Sequence, residues 1–264
     1  MSTGLVHPVR RAPMNQQHPA IRQLLAWGVH LYTASGLLAA AGIAVLIVRG
    51  QAGTYHWAFW LMLIATLIDA TDGTLARLVR VKEVLPGFDG RRLDDLVDFL
   101  TYATLPLLLI WRAGLLPEGQ GGWLLLPLLA SAYGFSQVAA KTADGYFLGF
   151  PSYWNLIAFY LYALRPPGWL TVVVLTGFAV LTFIPCRYLY PSQPGRLNRW
   201  TTLLGAVWAC LLVWILYRLP AADGFTWRLT LVSLFFPVFY LAASWAITLR
   251  LGLGGRQAGP GFHG

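Results

Sequence analysis

Two short acidic stretches stand out: DATDGTLAR at positions 69–77 and GRRLDDLVD at positions 90–98. On a helix, Asp69, Asp72, Gly73 and Ala76 fall at i, i+3, i+4 and i+7, so they share one face. Gly90, Asp94 and Asp98 follow at i, i+4 and i+8 and share another. Asp95 is turned about 100° away from Asp94. Pro86 and Gly87 separate the stretches, so the two helices can fold back as antiparallel neighbours. Four carboxylates then converge, and anions in a low dielectric repel one another strongly. They need protons or cations. An all-oxygen donor set favours hard divalent ions such as Mg²⁺ or Mn²⁺. Asp69, Asp72, Asp94 and Asp98 suffice for two ions about 3.5–4 Å apart, the spacing that clamps phosphoryl oxygens. Gly73, Ala76 and Gly90 let a bulky ligand approach the backbone, and Arg77, one turn beyond Gly73, can meet a phosphate.

The competing reading is that the small residues mark helix packing, while the aspartates pair with Arg77, Arg80, Arg91 and Arg92. That reading is preferred for Glu83, Asp89 and Asp95. It does not account for four acids on two helical faces with glycines alongside. Seven of the ten acidic residues lie between positions 69 and 98. Carboxylates inside apolar spans are costly, and function is the usual reason to keep them. Asp69 is about 13 Å in from Leu78 if the segment is helical, too deep for its short side chain to reach the surface.

The elements that must position these acids are membrane spans. Of 264 residues, 57% are hydrophobic and 11% are charged, against about 25% charged in soluble domains. Apolar runs of about 20 residues, enough to cross a bilayer core, recur along the chain. The expected fold is an all-α integral membrane protein, a bundle of about eight transmembrane helices. They are placed at 28–48, 56–78, 93–113, 122–142, 147–164, 168–186, 198–217 and 227–249. The fifth is short, and Pro166 and Pro167 separate it from the sixth, so the count ranges from six to eight. Residues 19–28 carry Ile21, Leu24, Leu25 and Trp27 among polar neighbours. They suit a short N-terminal interfacial helix or an ordinary juxtamembrane linker. The expected division is a cytosolic N-terminal segment (1–26), one transmembrane catalytic domain (27–250) and a flexible tail (251–264).

Of the 19 Lys and Arg residues, only Arg49, Arg112, Arg165, Arg218 and Arg228 fall on one side of this map. The excess makes the other side cytosolic, with both termini and the acidic cluster facing it. Orientation and attraction to anionic lipid account for the net charge of +9 without a nucleic-acid partner. Cys186 and Cys210 lie in or beside spans and read as small apolar residues rather than a disulfide. No cleavable signal peptide or soluble domain is evident.

The two acidic stretches resemble the signature of the CDP-alcohol phosphotransferases, D-x-x-D-G-x-x-A-R, a spacer, then G-x-x-x-D-x-x-x-D. Every specified position of that pattern is met. The spacer LVRVKEVLPGFD is longer than the family's usual one. With DFLTY from Asp98 and DGYFLGFPSYWN at 144–155, it is similar to the bacterial phosphatidylcholine synthase branch. The likeness runs from His30 to about Tyr217. It implies that Asp69, Asp72 and Asp94 are metal ligands and that Asp98 is the general base and also a ligand. Gly73, Ala76 and Arg77 would line the CDP-diacylglycerol site, with Gly90 leaving room. The segment HLYTASG at 30–36 would bring His30 and Thr33 to the nucleotide. Equally, Thr33 bonds its own helix carbonyl and His30 sits at an interface. The implied activity joins CDP-diacylglycerol to choline with two Mn²⁺ or Mg²⁺ ions, giving phosphatidylcholine and CMP. The implied setting is the bacterial inner membrane, with the site at the cytosolic face and the chain as a homodimer.

The chemistry suits the residues. An alcohol attacking the lipid-bearing phosphorus in line must lose a proton, which a carboxylate can take. No Ser–His or Cys–His pair accompanies the motif, so direct transfer without a covalent enzyme intermediate is expected. Choline cannot donate hydrogen bonds from nitrogen, and sites for it use aromatic faces. Tyr146, Tyr153 and Trp154, with Asp144, are the candidates for that site; an interfacial belt of aromatic residues is the competing reading. Tyr102 and Phe99, just past the acidic face, come next. An anionic acceptor such as glycerol phosphate or inositol phosphate would instead use Arg187, Arg196 and Arg199, and serine is a further alternative. A divalent-cation transporter is the remote alternative, but it leaves Gly73, Ala76 and Arg77 without a role.

Overall fold

The computed structural model describes residues 19–137, 146–188, 196–221 and 223–251, and nearly all of these are helical. Helix α1 (Pro19–Ala34) runs into α2 (Gly36–Arg49) across a single turn at Ser35, making one apolar rod of 31 residues. Residues 19–28 are the first turns of that rod. Gly50, at φ 65°, closes α2 by donating its N–H to the Leu46 carbonyl, a left-handed cap that glycine adopts without strain. The chain turns back into α3 (Tyr55–Val79), which packs along α1 and α2. Arg80 caps α3 in the left-handed region, and the short helix α4 (Val81–Val84) follows.

Helix α5 (Gly90–Asp98) begins at an Asx cap, where Asp89 accepts from the backbone N–H groups of Arg91 and Arg92. After Asp98 the chain winds as a π-helix over Phe99–Thr104 before α6 (Leu105–Arg112) resumes the ordinary pitch. Thr104 Oγ1 donates to the Phe99 carbonyl five residues back at 3.1 Å, on the wider turn. The remaining helices are α7 (Leu125–Ser136), α8 (Trp154–Leu164), α9 (Gly168–Phe183), α10 (Arg196–Arg218), α11 (Gly224–Ser233) and α12 (Phe235–Leu251).

This is an all-α integral membrane protein. Among the described residues, four rods, Pro19–Arg49, Tyr55–Val79, Thr201–Ala221 and Gly224–Arg250, are long and apolar enough to cross a membrane. Shorter apolar helices lie at Trp154–Leu164 and Gly168–Phe183. Among the described residues, helical segments occupy all eight expected positions. Leu38, Val48, Leu129 and Trp169 are exposed on the outside, as lipid-facing apolar side chains are. The interior packs around Leu107, Leu109, Ile110, Trp154, Ala158 and Leu175.

The fifth span starts later than its apolar sequence suggests, at Trp154 instead of 147. Phe147–Leu148 form strand β1, paired antiparallel with strand β2 (Arg187–Tyr188) in the register Phe147↔Tyr188 and Leu148↔Arg187. Gly149 then takes φ 82°, and a Cβ there would meet the Thr182 carbonyl oxygen at 2.3 Å. Pro151 and the left-handed Ser152 keep the chain non-helical until α8. The end of the fourth expected span, 138–142, lies outside the described residues.

Candidate active site

Helices α3 and α5 bring the acids together. One carboxylate oxygen each from Asp69, Asp94 and Asp98 lies within 4.8 Å of the other two. Asp72, one turn on from Asp69 along α3, is only 6% exposed. Thr33 on α1 donates to Asp72 Oδ2 at 2.7 Å, while its distance to the Val29 carbonyl is 3.4 Å. Its firmer partner is therefore the carboxylate. Carboxylates this close cannot all be anionic without a compensating positive charge. A donor set of oxygens only, converging from two helices, fits a hard divalent cation.

Arg77 is exposed one turn beyond Gly73, donating from Nη2 to Thr74 Oγ1 at 2.9 Å. A Cβ on Gly73 would lie 3.5 Å from Arg77 Nη1, so the guanidinium lies over bare backbone. Ala76 packs on the small cluster of Ala26, Val29 and Val81 that holds α1 against α3 and α4. Glu83 pairs with Arg80 at 3.8 Å and Asp89 with Arg92 at 3.3 Å, both on the exposed surface. Asp95 lies outside the converging triad.

The room at Gly90 is already filled. A Cβ there would meet His30 Cε1 at 2.4 Å and Nδ1 at 2.9 Å, so Gly90 accommodates an imidazole rather than holding space open for a ligand. His30 is 5% exposed, with its ring centroid 4.4 Å from Phe88 and 5.8 Å from Trp27. Its Nε2 is buried and has no hydrogen-bond partner. Gly90→Ala is expected to destabilise the chain by about 1–3 kcal/mol, the usual cost of overpacking. His30→Ala in the same chain is expected to recover most of that loss. Thermal unfolding of the two single variants and the double variant checks this; no recovery in the double variant contradicts it.

The family model for CDP-alcohol phosphatidyltransferase matches residues 30–142, which contain all four aspartates. Among curated proteins, a phosphatidylcholine synthase of Legionella pneumophila is 45% identical over 64% of this chain and 66% of its own length. That of Pseudomonas aeruginosa is 38% identical over 74% of this chain and 82% of its own length. That of Borreliella burgdorferi is 31% identical over 84% and 94%, respectively. This chain belongs to the CDP-alcohol phosphatidyltransferase family. The match spans about two thirds of the Legionella protein and nearly all of the Borreliella one.

In this CDP-alcohol phosphatidyltransferase, the segment expected to meet the acceptor divides in two. Trp154 is 0% exposed and belongs to the core. Its Nε1 donates to Ser131 Oγ at 2.6 Å and its ring packs 5.4 Å from Phe150. That placement removes it as an open aromatic face. Tyr153 is half-buried, 6.3 Å from the ring of Tyr102, so it lies on the acid-cluster side. Tyr146 is half-buried with the Arg187 guanidinium 5.8 Å from its ring. Asp144 lies outside the described residues. The helix bearing Arg196 and Arg199 is described, but their side chains are not.

Tyr102 had a place in the sequence reading only as a reserve aromatic. The structure puts its hydroxyl on the cluster, donating to Asp69 Oδ2 at 2.7 Å. Thr66 and Asn155, joined at 3.3 Å, were not singled out. Thr66 does precede Asp69 by three residues, on the same helical face.

Proposed function

We propose that this transferase joins CDP-diacylglycerol to choline, giving phosphatidylcholine and CMP. The observation that carries the reading is the convergence of Asp69, Asp94 and Asp98 within 4.8 Å, in a chain whose relatives are phosphatidylcholine synthases. Gly73 and Arg77 receive the pyrophosphate side of the nucleotide, the guanidinium pairing with a phosphate oxygen. Thr33 orients Asp72. Asp98 takes the proton from the acceptor hydroxyl as its oxygen bonds to the lipid-bearing phosphorus. The bond from that phosphorus to the bridging oxygen breaks, and CMP leaves with the electron pair. Divalent cations held by the four aspartates would supply charge neutralisation at the pyrophosphate. The reading carries with it two such ions, Mn²⁺ or Mg²⁺, and a site at the cytosolic face of a bacterial inner membrane. It also carries the homodimer that the family resemblance implies.

Tyr153 and Tyr146 give choline its aromatic faces, with Asp144 nearby in sequence. Tyr153→Ala is expected to raise the choline Michaelis constant about 5–30-fold, the equivalent of ~1–2 kcal/mol of cation–π energy. CDP-diacylglycerol affinity is expected to stay unchanged. The acceptor test gives purified protein CDP-diacylglycerol and Mn²⁺ with choline, ethanolamine, serine, glycerol phosphate or inositol phosphate in turn. Choline is expected to be used fastest, and ethanolamine poorly, because its ammonium asks for hydrogen bonds that aromatic faces do not supply. Faster turnover with an anionic alcohol overturns the choline assignment.

A further inference from the structure

We propose that Tyr102 is a positioning residue that fixes the carboxylate of Asp69. The inference rests on the reading of the acid cluster as a divalent-cation centre. Tyr102 sits in the π-helical segment just after Asp98, and wide turns of this kind often occur at functional sites. The segment carries the ring inward, to 8% exposure, and the hydroxyl donates to Asp69 Oδ2 at 2.7 Å. A phenol buried this deeply needs a partner. Here the partner is a group that three other carboxylates repel. With one oxygen held, Asp69 cannot turn freely about its Cβ–Cγ bond.

The ring of Tyr102 also lies 6.3 Å from that of Tyr153. The Thr66 hydroxyl donates to the Met62 carbonyl at 2.9 Å and accepts from Asn155 Nδ2 at 3.3 Å. The Asn155 carbonyl oxygen accepts the N–H of Leu156 at 2.8 Å, which fixes the amide in the first turn of α8. A polar contact thus ties α8 to Thr66 on α3, one turn before Asp69. Asn155 is two residues from Tyr153, so this contact joins the acceptor segment to the helix that bears Asp69. Partners that orient a ligand carboxylate typically account for 10–100-fold in metal affinity or activity.

Tyr102→Phe keeps the ring and deletes only the hydroxyl. Mn²⁺ binding is measured by electron paramagnetic resonance on the purified full chain without substrate, and steady-state constants are measured beside it. The Mn²⁺ dissociation constant is expected to rise about 10–100-fold, with unfolding temperature and choline Michaelis constant unchanged. Tyr102→Leu, which also deletes the hydroxyl, is expected to move Mn²⁺ binding in the same direction, and it decides the matter if the Phe variant does not fold. Unchanged Mn²⁺ affinity in the folded Phe variant overturns the proposal. So does a rise in the choline constant alone, which would make the phenol an acceptor contact. If the wild type transfers nothing to choline, the functional reading falls, and the Mn²⁺ titration still decides this inference.

Discussion

Asp98→Asn is expected to bind CDP-diacylglycerol at saturating Mn²⁺ much as the wild type does, yet turn over roughly 10²–10⁴-fold more slowly, the usual contribution of a general base. Asparagine matches the shape of aspartate and keeps an acceptor oxygen, but it cannot take a proton. Asp98 ends α5 at one corner of the converging triad, where the chain passes into the π-helical turn. From there the chain leads on through the π-helical turn to Tyr102. The check is turnover measured beside nucleotide binding in the same preparation. If binding falls together with turnover, Asp98 acts chiefly as a ligand and the base lies elsewhere.

Chelation is expected to abolish activity, and added Mn²⁺ or Mg²⁺ to restore it. Asp69→Asn and Asp94→Asn are each expected to lower turnover by more than about 100-fold, beyond the range typical of residues that only orient a ligand. Each substitution removes one converging negative charge, so both metal affinity and rate are expected to fall. Asp95→Asn, outside the triad, is expected to change either far less. Rate against metal concentration for the three variants is the test. Near-normal activity of Asp69→Asn or Asp94→Asn removes the two-ion account.

What could be read from the sequence, and what could not, follows from the range of the interactions. The convergence of Asp69, Asp94 and Asp98 needed only helical periodicity and a turn at Pro86–Gly87, both of which are local. The pairing of Glu83 and Asp89 with nearby arginines was local as well. The four long rods were legible because their apolar runs match the thickness of a bilayer. Gly90 was misread because its neighbour is His30, sixty residues earlier, and a small residue looks the same whether a ligand or an imidazole fills the gap. Trp154 was misread for a related reason: a tryptophan in an aromatic run can face a cation or a core. Only the contact with Ser131, on another helix, distinguishes the two. The late start of α8 depends on a positive φ at Gly149 and on the pairing of β1 with β2. The link from Tyr102 to Asp69 spans 33 residues and depends on a π-helical turn with no local sequence signal.

The most direct measurement uses purified wild-type chain with Mn²⁺, choline, and CDP-diacylglycerol labelled in both the cytidine and the lipid. The account predicts equal amounts of CMP and phosphatidylcholine, neither of which forms when choline is omitted or the metal is chelated. No CMP with choline or with any other alcohol, in a protein that instead carries divalent cations across sealed vesicles, would contradict it.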